Sequence, residues 1–243
     1  MSRITQRGAT GPLALVANGT FQTSTDSSLG TLLGSRWDLS DGREVRLGQA
    51  AAATTVVPGK MYQSAAVVAD DQNLTVTAYQ AYSANGNVPA KVTATLGSSA
   101  VTANQYRGGF LIVNDNNGEG QTLKIASHPA ADAAASLAIT LEDGPTTAIT
   151  TASHVSLHPA DGTGIIIMPT TATGAVFGAS MYNIAASAYG FFVTKGIQAV
   201  LNADAALTIG SAVSCSNATA GGVENGVIAQ GFIGTAAYTG VDT

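Results

Sequence analysis

Apolar and polar residues alternate with period two along much of the chain. Leu74-Thr75-Val76-Thr77-Ala78-Tyr79 and Val92-Thr93-Ala94-Thr95-Leu96 put every second side chain on one face, the signature of a half-buried strand. Gly109-Phe110-Leu111-Ile112-Val113-Asn114 is an unbroken apolar run bounded by turn residues and predicts a fully buried strand. Further strands are predicted at Leu123–Ile125, Leu137–Leu141, Ser153–His158 and Gly164–Met168. In the last third, Gly190–Gly196 reads as a strand paired with Ile197–Leu201, followed by Ala205–Val213 and by the apolar stretches from Gly226 to Gly234. Thr and Val recur throughout, and β-branching suits a pleated surface.

Turn pairs punctuate these runs: Asn85-Gly86, Asp143-Gly144 and Asp161-Gly162. Trp37–Leu47 predicts a hairpin around Asp41-Gly42. Trp37, the single tryptophan, is a natural core or interface anchor. One short helix is predicted at the Ala-rich Pro129–Ser136. Residues 1–60 hold no sustained helical period and several Gly, and read as an extended arm with that hairpin. Many short strands at this spacing predict a mainly β protein built as a sandwich, jelly roll or small barrel, with a division between Thr150 and Gly164.

Composition changes this picture in one respect. Charged residues are 10% of the 243, against roughly a quarter in ordinary globular chains. Such a chain either buries much of its outside in an assembly or covers it with uncharged Thr, Ser and Asn. The net charge of −5 argues against direct nucleic-acid binding, which draws its affinity from a basic footprint. The charges are unevenly spread. Arg3, Arg7, Arg36, Arg43, Arg46 and Lys60 face Asp26, Asp38, Asp41 and Glu44 in the first 60 residues, giving +2 there and −7 in the rest. A basic arm that reaches to an acidic partner accounts for this, as does chance imbalance in a chain with few charges. On the first account Arg3, Arg7, Arg36, Trp37, Arg43 and Arg46 are the partner-binding candidates. The N-terminus lacks the apolar core of a signal peptide, and the apolar run at Gly164–Met168 stops at Pro169, too short for a membrane span. The expectation is a protein made in the cytoplasm, with no membrane partner.

Candidate chemistry is sparse. His154 and His158 have the i, i+4 spacing of helical zinc ligands, but on a strand they lie roughly 13 Å apart. Asp115-Asn116-Asn117-Gly118-Glu119-Gly120 resembles the front of a calcium loop, yet its twelfth position is Ala126, so a solvated hairpin loop is expected. Cys215 has no neighbouring base and reads as an inert thiol. No nucleophile elbow, phosphate loop or dinucleotide fingerprint occurs. No catalytic residue, metal or cofactor is expected.

One stretch points to a family. Tyr189-Gly190-Phe191-Phe192-Val193-Thr194-Lys195-Gly196 leads through Ala203-Asp204-Ala205-Ala206-Leu207 and Gly210-Ser211-Ala212-Val213 to a small-residue turn at Gly221-Gly222, ending in Ile233-Gly234-Thr235-Ala236. This pattern resembles the head-decoration, or cement, proteins of tailed bacteriophages, over roughly residues 160–243. Members of that family often continue into one more strand, whereas this sequence ends at Thr243. The resemblance implies a C-terminal β-tulip or small β-barrel over 156–243; the strand spacing predicts a β-sandwich or jelly-roll-like region over 61–155, preceded by the arm over 1–60. It implies a non-enzymatic virion protein on the capsid exterior, a homotrimer that clamps neighbouring major capsid proteins and stabilises the shell. A tail or receptor-binding virion β protein is the alternative, and a hydrolase on a β fold the third reading.

Overall fold

The computed structural model describes residues 4–6, 16–17, 20–21, 23–84, 88–204, 207–226 and 234–235. Arg3, Arg7, the Asn85-Gly86 turn and the stretch 227–233 lie outside the described residues. The fold is mainly β, as the alternation predicts: eighteen strands, numbered β1 to β18 in chain order, and no α-helix among the described residues. No helix there is long and apolar enough to cross a membrane.

The chain divides into two units. Residues 67–160 form one. Residues 1–66 and 161–243 together form the other, so the first and last segments, read from the sequence as separate, share one body.

The 67–160 unit is a closed six-stranded antiparallel barrel. Strands β9 (Phe110–Val113), β10 (Thr122–Ser127) and β11 (Ser136–Leu141) form a meander. The hairpin of β7 (Leu74–Gln80) and β8 (Lys91–Thr95) joins it through β8 and β11, and β12 (His154–His158) closes the ring between β9 and β7. Closure satisfies both edges of every strand. The predicted alternation sets the interior: Val92, Ala94, Leu111, Val113, Ile125, Leu137, Ile139, Val155 and Leu157 are buried together. The closed barrel therefore lies in the segment for which a sandwich or jelly roll was expected.

The other unit is built on a seven-stranded sheet. Its order is β1 (Ile4–Gln6), β4 (Arg36–Leu39), β5 (Glu44–Gln49), β15 (Tyr189–Lys195), β14 (Val176–Ser180), β6 (Met61–Gln63) and β13 (Ile166–Ile167). The predicted hairpin is β4–β5, with Gly42 at φ 84° donating its N–H to the Leu39 carbonyl. Residues 36–49, assigned from the sequence to an arm, are thus strands near the middle of a sheet. Trp37, Val45, Val193 and Phe191 pack on one face, and Phe177, Phe192, Tyr62 and Ile165 on the other. A smaller sheet of β17 (Val223–Asn225), β16 (Ala212–Cys215) and β18 (Gly234–Thr235) shares a core with Met61, Met168 and Ala179. Strands β2 (Val16–Ala17) and β3 (Thr20–Phe21) pair with each other.

Three predicted elements differ. Ile197–Leu201 is not a strand, because β15 is already paired on both edges, with β5 and β14. The chain turns away at Gly196 and leaves Ile197 77% exposed. Pro129–Ser136 is not a helix. The segment is too short to offset helix nucleation, Ala131 bridges to Val101 instead, and Ala134 adopts φ 57°. Of the strand expected over Ala205–Val213, residues 205–206 lie outside the described residues, and from Leu207 the chain runs irregularly to Ala212, where β16 begins after a turn at Gly210 in which Ser211 N–H donates to the Thr208 carbonyl.

Gly48 sits where the large sheet is most tightly packed. A Cβ there would run into Ile165 Cδ1 and come within 2.8 Å of Phe177 Cε1 and 3.0 Å of Phe192 Cε2. Gly48→Ala should therefore lower stability by about 1–3 kcal/mol, the usual cost of overpacking a filled core. Chemical denaturation monitored at Trp37, which packs in the same unit, checks this.

Candidate functional site

A groove of about 540 Å³ lies in the unit of residues 1–66 and 161–243. It opens where two ladders slip by a residue. β14 shifts against β6 between Val176 and Gly178, and β15 shifts against β5 between Val193 and Lys195. Such bulges re-aim side chains at the end of a sheet. Val176, Phe177, Val193, Thr194 and Lys195 all line the groove. Met61, Val200, Val213 and Val223 supply further apolar wall, and Gln198 an amide.

The polar side is mostly cationic: Arg36, Arg46 and Lys195, with Glu44 as the acid among them. Arg36 and Arg46 stand directly opposite each other across the β4–β5 ladder. Like charges in that position repel. Arg46 is held in place by an ion pair with Asp161, by donation from Nε to the Gly34 carbonyl at 3.1 Å, and by the Phe177 ring 5.1 Å away. Arg36 reaches Glu44 at only 3.7 Å and keeps 64% of its side chain exposed. Thr194 donates its hydroxyl to Glu44 Oε1 at 3.3 Å. Lys195 is exposed and has no ion pair among the described residues. The arrangement offers cations to an anionic group beside an apolar wall.

Four of the six residues singled out in the sequence can be placed. Arg36 and Arg46 come together in the groove. Arg43 sits on the hairpin turn, bonded through Nε to Asp41 Oδ2 at 2.9 Å and through Nη1 to Gln198 Oε1 at 3.3 Å. Trp37 points into the core, 4% exposed and edge-on to Phe191 at 5.0 Å. Arg3 and Arg7 lie outside the described residues. Lys195, Val176 and Phe177 escaped sequence reading, because Lys195 reaches the groove only through the β5–β15 pairing, where it stands opposite Glu44, and Val176 and Phe177 only through β14 lying next to β15.

Histidine and cysteine chemistry is absorbed by structure. His128 is buried; its Nε2 accepts from Tyr106 N–H at 2.9 Å and its Nδ1 faces the Pro129 carbonyl at 2.8 Å. His154 and His158 lie on strand β12 as expected. His154 Nδ1 pairs with Asp115 Oδ2 at 2.9 Å, whereas His158 Nδ1 meets the Pro159 carbonyl. Cys215 is buried against Met168, and burial, followed by the nearby Glu224 charge, pushes its thiol above the ordinary value. Among the described residues no three metal-ligating side chains cluster.

The barrel holds one costly polar group. Asp71 is 1% exposed; its Oδ2 accepts from the Tyr106 hydroxyl, and its Oδ1 is buried without a hydrogen-bond partner. Burial, reinforced by Asp71, holds the Tyr106 phenol well above its ordinary pKa. Tyr106→Phe would strand both carboxylate oxygens, so barrel stability should fall by about 1–3 kcal/mol, measurable by thermal unfolding.

Asp115 carries an acid dependence. Partial desolvation pushes its carboxyl up, but hydrogen bonds from His154 N–H, Asn116 and the His154 ring outweigh this and hold it below the ordinary value of 3.8. A carboxylate depressed on folding stabilises above its unfolded pKa, and the contribution is lost as pH falls through the folded one. Asp115→Asn should therefore destabilise the barrel at neutral pH, with the gap to wild type closing below pH 3.8, as acid titrations of melting temperature would show. Comparison with protein-family models, curated proteins and solved structures finds no match to this chain.

Proposed function

We propose that this chain is a non-enzymatic structural protein of a bacteriophage virion. It decorates the capsid exterior as a homotrimer and stabilises the shell by binding across neighbouring major capsid proteins. The observation that carries the reading is the apolar surface around the groove. Val176 is 41% exposed in its wall, and Ile197, between the lining residues Gly196 and Gln198, is 77% exposed. Both fall in the segment that resembles cement proteins. Leaving an isoleucine in water forgoes about 1.5–3 kcal/mol of burial, which contact with another protein surface recovers. The low charge content supports the same reading, since few charged groups have to be desolvated when such a surface is covered.

Binding the assembled shell better than its dissociated subunits is what stabilisation requires. The protein should co-sediment with undecorated, expanded capsids of its own phage at micromolar concentration and raise the temperature at which they release DNA. In solution it should have three times the 24.2 kDa mass of the chain by light scattering. Capsids left naked under these conditions would overturn the proposal. One feature favours a tail or receptor-binding role instead: Tyr82, in a loop of the barrel unit, is 56% exposed. Electron microscopy of labelled virions separates the two, since label at the tail tip excludes decoration.

A further inference from the structure

We infer that the groove receives an extended polypeptide segment in which carboxylates alternate with apolar residues. The inference rests on the reading of this surface as a protein contact, and it names the chemistry of what binds there.

Charge comes first. The groove gathers three cations and one acid in a chain whose net charge is −5. Arg36 and Arg46 are directly opposed across a ladder, a placement that costs stability and that an incoming carboxylate relieves. Arg46 is already occupied by Asp161 and the Gly34 carbonyl. Arg36, with its long contact to Glu44, and Lys195 have donors to spare. An arginine with an open fork takes a carboxylate in a bidentate, charge-assisted pair. A basic or neutral-polar ligand would leave these repulsions in place.

Shape and apolar surface give the rest. The groove's volume is in the range of specific binding sites, about 300–1,000 Å³. The same lining carries Val176, Val200 and Val213, apolar surface suited to aliphatic side chains. Apolar surface continues past the groove to Ile197, farther than a small enclosed ligand would cover. In an extended chain successive side chains point to opposite sides. Alternating carboxylates and aliphatic groups would therefore offer partners both to Arg36 and Lys195 and to the valines of the lining.

The test uses two synthetic peptides of equal length, Asp-Val-Asp-Val-Asp and Lys-Val-Lys-Val-Lys, both capped at their ends. Each is titrated into isotope-labelled full-length protein and followed by amide chemical shifts. The acidic peptide should move the amides of Gly178, Lys195 and Gly196, and the basic one should not. Arg36→Glu with Lys195→Glu should weaken acidic-peptide binding by about tenfold or more. The gentler Arg36→Gln with Lys195→Gln pair should weaken it in the same direction, so the result does not depend on a variant that folds poorly. Equal shifts from both peptides, no shift from the acidic one at millimolar concentration, or undiminished binding by the variants would overturn the inference. Capsid co-sedimentation of the same variants separates it from the functional reading. Capsid binding that survives both substitutions removes the groove as the contact and leaves decoration standing. Acidic-peptide binding without capsid binding keeps the groove's ligand and removes decoration.

Discussion

The pairing of β5 with β15 is the interaction on which the larger unit depends. Residues 44–49 meet residues 189–195, so a strand from the first fifth of the chain lies against one from the last quarter. Both faces of that pair are covered. Val45, Leu47, Phe191 and Val193 serve one core, and Phe192 anchors the other through edge-on contacts with Tyr62 and Phe177. Contacts of such sequence separation form late, because the loop between them must be ordered before they return any energy. The barrel needs a long-range contact of its own, the β7–β12 pairing that closes it, but its other strand pairs are local and lie within 67–160.

The same pairing creates the groove. Arg36 and Arg46 are close because a four-residue turn folds β4 back on β5, which is a local matter. Lys195, Phe177 and Val176 join them only because β15 is laid down beside β5 and β14 beside β15, with slips of β15 against β5 and of β14 against β6. In the barrel, by contrast, polar groups are spent on holding strands and loops. Asp115 fixes both the backbone and the ring of His154, and Asn114 donates to Ser156 at 2.8 Å.

Local features were therefore the legible ones. Alternation placed β7, β8, β11 and β12, and the Asp41-Gly42 pair placed the β4–β5 hairpin. The apolar stretch Ile197–Leu201 misled, since an apolar run describes a segment able to sit in a sheet and cannot say whether an edge is free to receive it. The Ala-rich run at Pro129–Ser136 misled because propensity over so short a span is weaker than one bridge to Val101. Within the site, Arg36 and Arg46 could be named from the charge distribution. Trp37 was named with them yet points the other way, as its alternation with Arg36 on one strand requires. Lys195 was invisible, because its place depends on the long-range register.

Strand β6 pairs with β13, and Ala65 lies 3.7 Å from the position a Cβ would take on Gly164. The chain thus leaves the sheet after Gln63 and re-enters it at Ile166 in two neighbouring strands, with residues 67–160 between them. The barrel is, in effect, the loop of a long hairpin whose stem is β6–β13. Loop closure costs grow only logarithmically, about 0.6 kcal/mol per doubling of length. A change in the length of the segment that the stem closes therefore adds little to the entropy cost of pairing β6 with β13. Closing a stem over 94 residues rather than half that number costs only about one such step, so the pairing of β6 with β13 tolerates the whole of residues 67–160 between its strands.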